Sequence, residues 1–135
     1  MYKNILVPIA ADHDPHTGAA LNIARALADE GAKITALTVV EQMPGYILNQ
    51  LPEGQMETTK AEVEAGLKAD LGGVADVKAV VVEGHSARTI LDYAEEQGID
   101  CIVMASHRPD ITDYFLGSTA ARVVRHAKCA VHVMR

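Results

Sequence analysis

At 135 residues and a formal charge of −6, the chain has the length of one domain and lacks the net positive charge of a general nucleic-acid binder. Hydrophobic residues make up 49% of it, yet there is one Phe and no Trp, so the core must be built from Val, Ile, Leu and Ala, as suits a buried parallel sheet under thin helices. No apolar run approaches the roughly 20 residues that span a bilayer, the N-terminus reads directly into a strand, and Cys101 and Cys129 stand outside any CxxC. The expectation is a cytoplasmic protein with no membrane contact and two reduced, buried thiols.

In chain order, Lys3 to Ile9 reads as a first strand, with Ile5, Leu6, Val7 and Ile9 apolar. Ala10 to Asp14 is a polar turn. Asp14 suits an N-cap, and Pro15 fits a first helical position, where no N–H is needed. A first helix is predicted to about Glu30, with Ala20, Ile23, Ala24 and Leu27 on one face and Gly31 as its stop. Lys33 to Val40 is a second strand. Met43-Pro44-Gly45 and Leu51-Pro52-Glu53-Gly54 punctuate a loop, and Gln55 to Leu71 is a second helix with a thin face of Val63, Leu67 and Leu71, closed by Gly72-Gly73. Val77 to Val82 is a third strand. Ser86 is the expected N-cap of a third helix carrying Ala87, Ile90, Leu91 and Ala94, which Gly98 ends. Cys101 to Ala105 is a fourth strand, and Ala130 to Met134 a fifth. Between them the period Ala120, Val123, Val124, Ala127 marks a fourth helix, for which Ser118 is an N-cap candidate. Strands alternating with helices argue a single-domain α/β fold with a parallel sheet.

The segment from Cys101 to Ala120 carries the chemistry. An apolar strand breaks at Ser106-His107-Arg108-Pro109, and the chain re-enters a helix through Gly117-Ser118-Thr119. Unpaired N–H groups at a helix N-terminus attract anions. Gly117 allows close approach to the backbone, Ser118 and Thr119 add hydroxyls, and His107 and Arg108 add positive charge. The pattern reads as a candidate phosphate site.

The run Ala105-Ser106-His107-Arg108, then Leu116-Gly117-Ser118, then Ala121-Arg122-Val123-Val124-Arg125-His126-Ala127-Lys128-Cys129-Ala130-Val131-His132-Val133 resembles the C-terminal signature of the universal stress protein family. Lys3-Asn4-Ile5-Leu6-Val7-Pro8-Ile9 resembles that family's first strand. The resemblance spans the chain. It implies a Rossmann-like, doubly wound five-stranded parallel sheet in the order 3-2-1-4-5, with helices on both faces. In such a sheet ligands enter between the C-terminal ends of strands one and four. It also implies a cytoplasmic stress-response regulator that binds ATP or AMP, with Mg2+ as an optional companion. Pro8, Ile9, Val39, Val40 and Met104 would form the slot for the base, and His107, Arg108, Gly117, Ser118 and Thr119 would hold phosphates. The family's pairing of last strands across a two-fold axis implies a homodimer or tetramer through Ala130 to Met134.

The nucleotide-binding members carry G-x2-G-x9-G-[S/T]. Here Ala105 and Arg108 stand at the two early glycines, around Ser106-His107, and the spacer from Pro109 to Leu116 is one residue short. The Pro-x-Asp that usually ends strand one is Pro8-Ile9-Ala10, with Asp12 the nearest acid. Ala can replace Gly where φ is negative, and Arg108 supplies a phosphate fork that glycine cannot. A stress-linked dimerisation protein that binds no nucleotide is the alternative these departures favour.

No Walker loop or GxGxxG is present. Asp12-His13-Asp14-Pro15-His16 is rich in metal-ligand types, and His13 and His16 have the His-x-x-His spacing of nucleotidyl transferases. Pro15 and the helix start splay these side chains, so the segment reads as a polar turn. His85-Ser86 has no orienting carboxylate for a triad. No nucleophile–base pair marks an efficient enzyme; weak ATP hydrolysis is the most that is expected.

Overall fold

The computed structural model describes residues 1–10, 17–41, 55–71, 76–106 and 117–134. Five strands, β1 (Tyr2–Pro8), β2 (Ala28–Val40), β3 (Val77–Glu83), β4 (Cys101–Ala105) and β5 (Ala130–Met134), form one parallel sheet in the order β3-β2-β1-β4-β5. The helices are α1 (Thr17–Leu27), α2 (Gln55–Asp70), α3 (Ser86–Glu96) and α4 (Ser118–His126). Among the described residues no helix is long and apolar enough to cross a membrane.

Each face of the sheet buries its own cluster. Ile5, Val7, Ala36, Cys101 and Val103 pack with Ala20, Leu21 and Ala24 of α1 and with Leu67 of α2. Leu6, Leu37, Ile102 and Met104 pack with Ala87, Ile90 and Ala94 of α3 and with Ala120 and Val123 of α4. The strands read as unbroken apolar runs because successive side chains enter opposite clusters and both faces are covered. Ile5, Leu6, Val7, Ile102 and Val103 are fully buried, each contributing about 1.5–3 kcal/mol relative to an exposed side chain.

Five local expectations need correction. The first helix ends at Leu27, not near Glu30, because Ala28–Glu30 are claimed by the sheet. Tyr2 pairs with Ala28 and Asn4 with Lys33, so three extra residues of β2 bulge out between these pairs. Gly31, at φ 77, absorbs that bulge rather than capping a helix. Ser86 is the first residue of α3; its N-cap is His85, which makes no side-chain cap. Gly117 likewise takes the N-cap of α4, so Ser118 is inside the helix. Val124 faces outward, 45% exposed. The starts expected at Asp14-Pro15, the loop of residues 43–54, Gly72-Gly73 and Arg135 lie outside the described residues.

Cys101 is buried and Cys129 half-buried, and both are free thiols. Burial pushes the Cys101 thiol up to about 11, with the neighbouring Cys129 and Asp100 adding to the shift, which makes it a poor nucleophile at neutral pH.

The turn between α3 and β4 locks the start of β1. Asp100 accepts the Lys3 N–H on Oδ2 (2.8 Å) and the Asn4 N–H on Oδ1 (3.1 Å), while its own N–H donates to the Asn4 carbonyl (3.0 Å). The Asn4 amide donates to the Gln97 carbonyl at 2.8 Å. Asp100→Ala should therefore lower stability by about 1–3 kcal/mol, seen as a lower urea midpoint at unchanged m, with Asp100→Asn losing less. A midpoint equal to wild type in both variants would show the clamp to be neutral.

Candidate functional site

Because every strand runs the same way, every β-to-α turn opens on one edge of the sheet, and the strand order reverses at β1. There, between the C-terminal ends of β1 and β4, lies a crevice of about 210 Å³. Pro8, Ile9 and Ala10 enter it from the end of β1, with the Ile9 N–H extending the ladder to the Leu37 carbonyl at 2.8 Å. Leu37 and Val39 enter from β2, and Met104, Ala105 and Ser106 from β4. Gly117, Ser118, Thr119 and Ala120 enter from the start of α4, and Ser86 and Ile90 from α3.

Ten of the residues expected at the site are thus together: Pro8, Ile9, Ala10, Val39, Met104, Ala105, Ser106, Gly117, Ser118 and Thr119. Val40 is not with them. It is adjacent to Val39, so strand alternation turns it to the opposite face, where it packs against the α1–α2 cluster. Asp12, His107 and Arg108 lie outside the described residues. Among the described residues no non-glycine residue has positive φ, so Ala105 stands at a glycine position of the motif without strain.

Ser106 organises the phosphate-side wall. It is buried, and both its N–H (2.8 Å) and its hydroxyl (3.0 Å) donate to the Met134 carbonyl. Its own carbonyl accepts the Gly117 N–H at 3.2 Å. The hydroxyl is therefore committed to structure rather than free for a ligand. A Cβ on Gly117 would stand 3.2 Å from that same carbonyl, a tight contact that a larger residue could meet only if strand end and helix start moved apart by a few tenths of an ångström.

No side chain caps α4, and no acid lies in its first turn, while Arg125 and His126 sit in its last turn. The N–H groups at its start face the crevice with the positive end of the helix dipole. α3 also begins at this crevice, likewise with no side-chain cap and no acid in its first turn. The two helix starts are joined by a hydrogen bond of 3.0 Å between the Ser86 and Thr119 hydroxyls. The residues that sequence reasoning missed here are Leu37, Ser86, Ile90 and Ala120. The common direction of all the turns in a parallel sheet was the available signal for Ser86. The crevice thus offers an apolar wall of Ile9, Val39 and Met104 opposite a wall of backbone and hydroxyl donors, an arrangement that suits a ligand with a flat apolar part and an anionic part. Among the described residues no group of His, Cys, Asp and Glu is arranged to hold a metal ion.

Removing the Ser86 hydroxyl takes away the partner of Thr119. Ser86→Ala should cost about 0.5–1.5 kcal/mol in urea unfolding, and Ser86→Thr should restore most of it. If Ser86→Ala unfolds at the wild-type midpoint, the hydroxyl pair does not hold the two helix starts together.

The sequence profile of the Universal stress protein family matches residues 1–135. A universal stress protein of Methanothermobacter thermautotrophicus is 28% identical over 144 residues, covering 100% of this chain and 97% of its own. Among solved structures, the universal stress protein UspA from Lactobacillus plantarum superposes with a TM-score of 0.79 at 30% identity, covering 99% of this chain and 98% of its own. A universal stress protein solved in complex with cAMP has a TM-score of 0.63 at 23% identity, with 99% of this chain and 97% of its own covered, a likeness of fold.

Proposed function

This chain belongs to the universal stress protein family, and we propose that it is a cytoplasmic regulatory module of the stress response that binds an adenine nucleotide, ATP or AMP, in the crevice between β1 and β4. The observation that carries this reading is the pair of uncapped helix starts, α3 and α4, meeting opposite an apolar wall. The base would lie against Pro8, Ile9, Val39 and Met104. The phosphates would take the N–H groups of Ser118 and Thr119, at the helix start that Gly117 caps, with Arg108 as an added cation. Bound phosphates would bring Mg2+ as a counter-ion, and the metal would supply charge neutralisation. In this reading the bound state, rather than turnover, is the signal.

Ser118→Asp tests this directly. A carboxylate in the first turn of α4 complements the helix dipole, so the fold should hold or gain stability, while it competes with phosphate for the same N–H groups. Calorimetry should show ATP with magnesium binding the wild type and at least about tenfold weaker binding to Ser118→Asp, with adenosine little affected. No binding of ATP to the wild type, or equal affinity in the variant, would remove the reading.

The oligomer is proposed to form through β5. This strand pairs with β4 along one edge only and is the last in the sheet. Its exposed side chains are Ala130 and His132, while Val131 and Val133 pack inward on the α3–α4 cluster. A free apolar edge is a template for a second copy. Ala130→Asp with His132→Asp places like charges opposite one another across a two-fold pair without touching the core. Sedimentation should show a folded monomer where the wild type is a dimer; a double variant that stays dimeric would exclude β5 as the principal interface.

A further inference from the structure

At the other end of the sheet, by the N-terminal ends of the strands, lies a second cavity of about 360 Å³. Its floor is the sheet. Asn4 comes from β1, Lys33 and Thr35 from β2, and Lys78 from β3. The ladder pairs Asn4 with Lys33 and Thr35 with Lys78. Each lies two residues from a side chain of the α3–α4 cluster or from another of the four: Asn4 from Leu6, Lys33 from Thr35, Thr35 from Leu37, and Lys78 from Val80. Period-two alternation therefore sets all four on one face. Tyr93 and Gln97, at the C-terminal end of α3, form a wall.

Three features mark this cavity as a ligand site. Lys33 and Lys78 are exposed, on adjacent strands, and neither has an ion-pair partner among the described residues. Thr35 lines the cavity at 7% exposure, and its hydroxyl has no hydrogen-bond partner among the described residues. The acid in the lining, Asp76, is already engaged by the Arg25 guanidinium at 3.0 and 3.4 Å, which holds its carboxyl below the usual range. In a chain of charge −6, two ammonium groups without ion-pair partners among the described residues, beside the Thr35 hydroxyl, form a local reversal of sign. Lys33 and Lys78 are diagonal neighbours on adjacent strands, since Lys78 pairs with Thr35, and a dianion between them is attracted by both. The ammonium groups act as point charges, and the Thr35 and Tyr93 hydroxyls are donors. The volume falls within the range of about 300–1,000 Å³ seen for ligand pockets and leaves room beside the Tyr93 ring for an organic part.

We propose that this cavity is a second ligand site, for a small phosphate monoester, separate from the crevice at the opposite end of the sheet.

The probe is glycerol 3-phosphate, titrated into the isotopically labelled chain and followed by amide chemical shifts, with glycerol and inorganic phosphate as parallel arms. Saturable shifts are expected at Thr35, Lys78 and Tyr93. They should be absent with glycerol and should need a higher concentration of inorganic phosphate. Lys33→Ala with Lys78→Ala changes two exposed side chains and should weaken the ester at least about tenfold. Thr35→Val keeps the shape of the side chain and should weaken it about threefold or more, whereas Ser118→Asp should leave it unchanged. Shifts confined to residues 117–120, an equal response to glycerol, or unaltered affinity in the double lysine variant would overturn the site. Equal affinity for inorganic phosphate would overturn its assignment to a monoester.

Discussion

The double burial of β1 is the constraint on which the rest of the molecule depends. It is paired with β2 along one edge and β4 along the other, and Ile5, Leu6 and Val7 are fully buried between the two clusters. A strand that is apolar on both faces does not specify its own register, because a slip by one residue exchanges one apolar set for another. Polar contacts supply what the pattern lacks. The carboxylate of Asp100 takes two successive N–H groups of β1, and the Asn4 amide reaches the Gln97 carbonyl. The position of Pro8 and Ile9 at the far end, and with it one wall of the crevice, follows from that anchorage.

The opposite wall depends on Ser106. Its N–H and hydroxyl converge on the Met134 carbonyl, and its own carbonyl receives the Gly117 N–H. Three segments distant in sequence, the ends of β4 and β5 and the start of α4, are thereby held at one point. The start of α4 faces the crevice for this reason, and so would any anion bound there. The same contact couples β5 to the site, so events at the outer edge of the sheet and at the ligand crevice share one residue.

The sheet of this chain thus presents two chemically different ends. At the C-terminal ends of the strands, donors come from backbone N–H groups and hydroxyls at two helix starts, set against an apolar wall. At the N-terminal ends, they come from lysines and a buried threonine on the sheet itself. Helix dipoles favour anions at the first end, whereas at the second only side-chain charge favours them, against the C-terminal end of α3. Recognition of an anion there would rest on Lys33 and Lys78.

Much of this was legible in the residues. The bounds of β4 and β5 match the apolar runs Cys101 to Ala105 and Ala130 to Met134, because a short run flanked by turn residues has few alternatives. Ten crevice residues were legible through the motif around Gly117 and the ends of the strands. Local pattern failed where a distant partner decides. Ala28–Glu30 continue a helix by propensity, and only pairing with Tyr2 draws them into β2. Ser86 and Ser118 look like caps, yet His85 and Gly117 hold those positions, since an N-cap is defined by backbone geometry that a neighbouring residue can adopt instead. Val39 and Val40 are alike in sequence and lie on opposite faces. The cavity of Asn4, Lys33, Thr35 and Lys78 has no sequence motif at all, because its members lie on three strands and meet only through ladder register. Composition and periodicity therefore determined the α/β class, and the resemblance to the universal stress protein family implied the strand order and the main crevice. Strand pairing alone decided which faces those residues share, because contact between strands is set by register and not by distance along the chain.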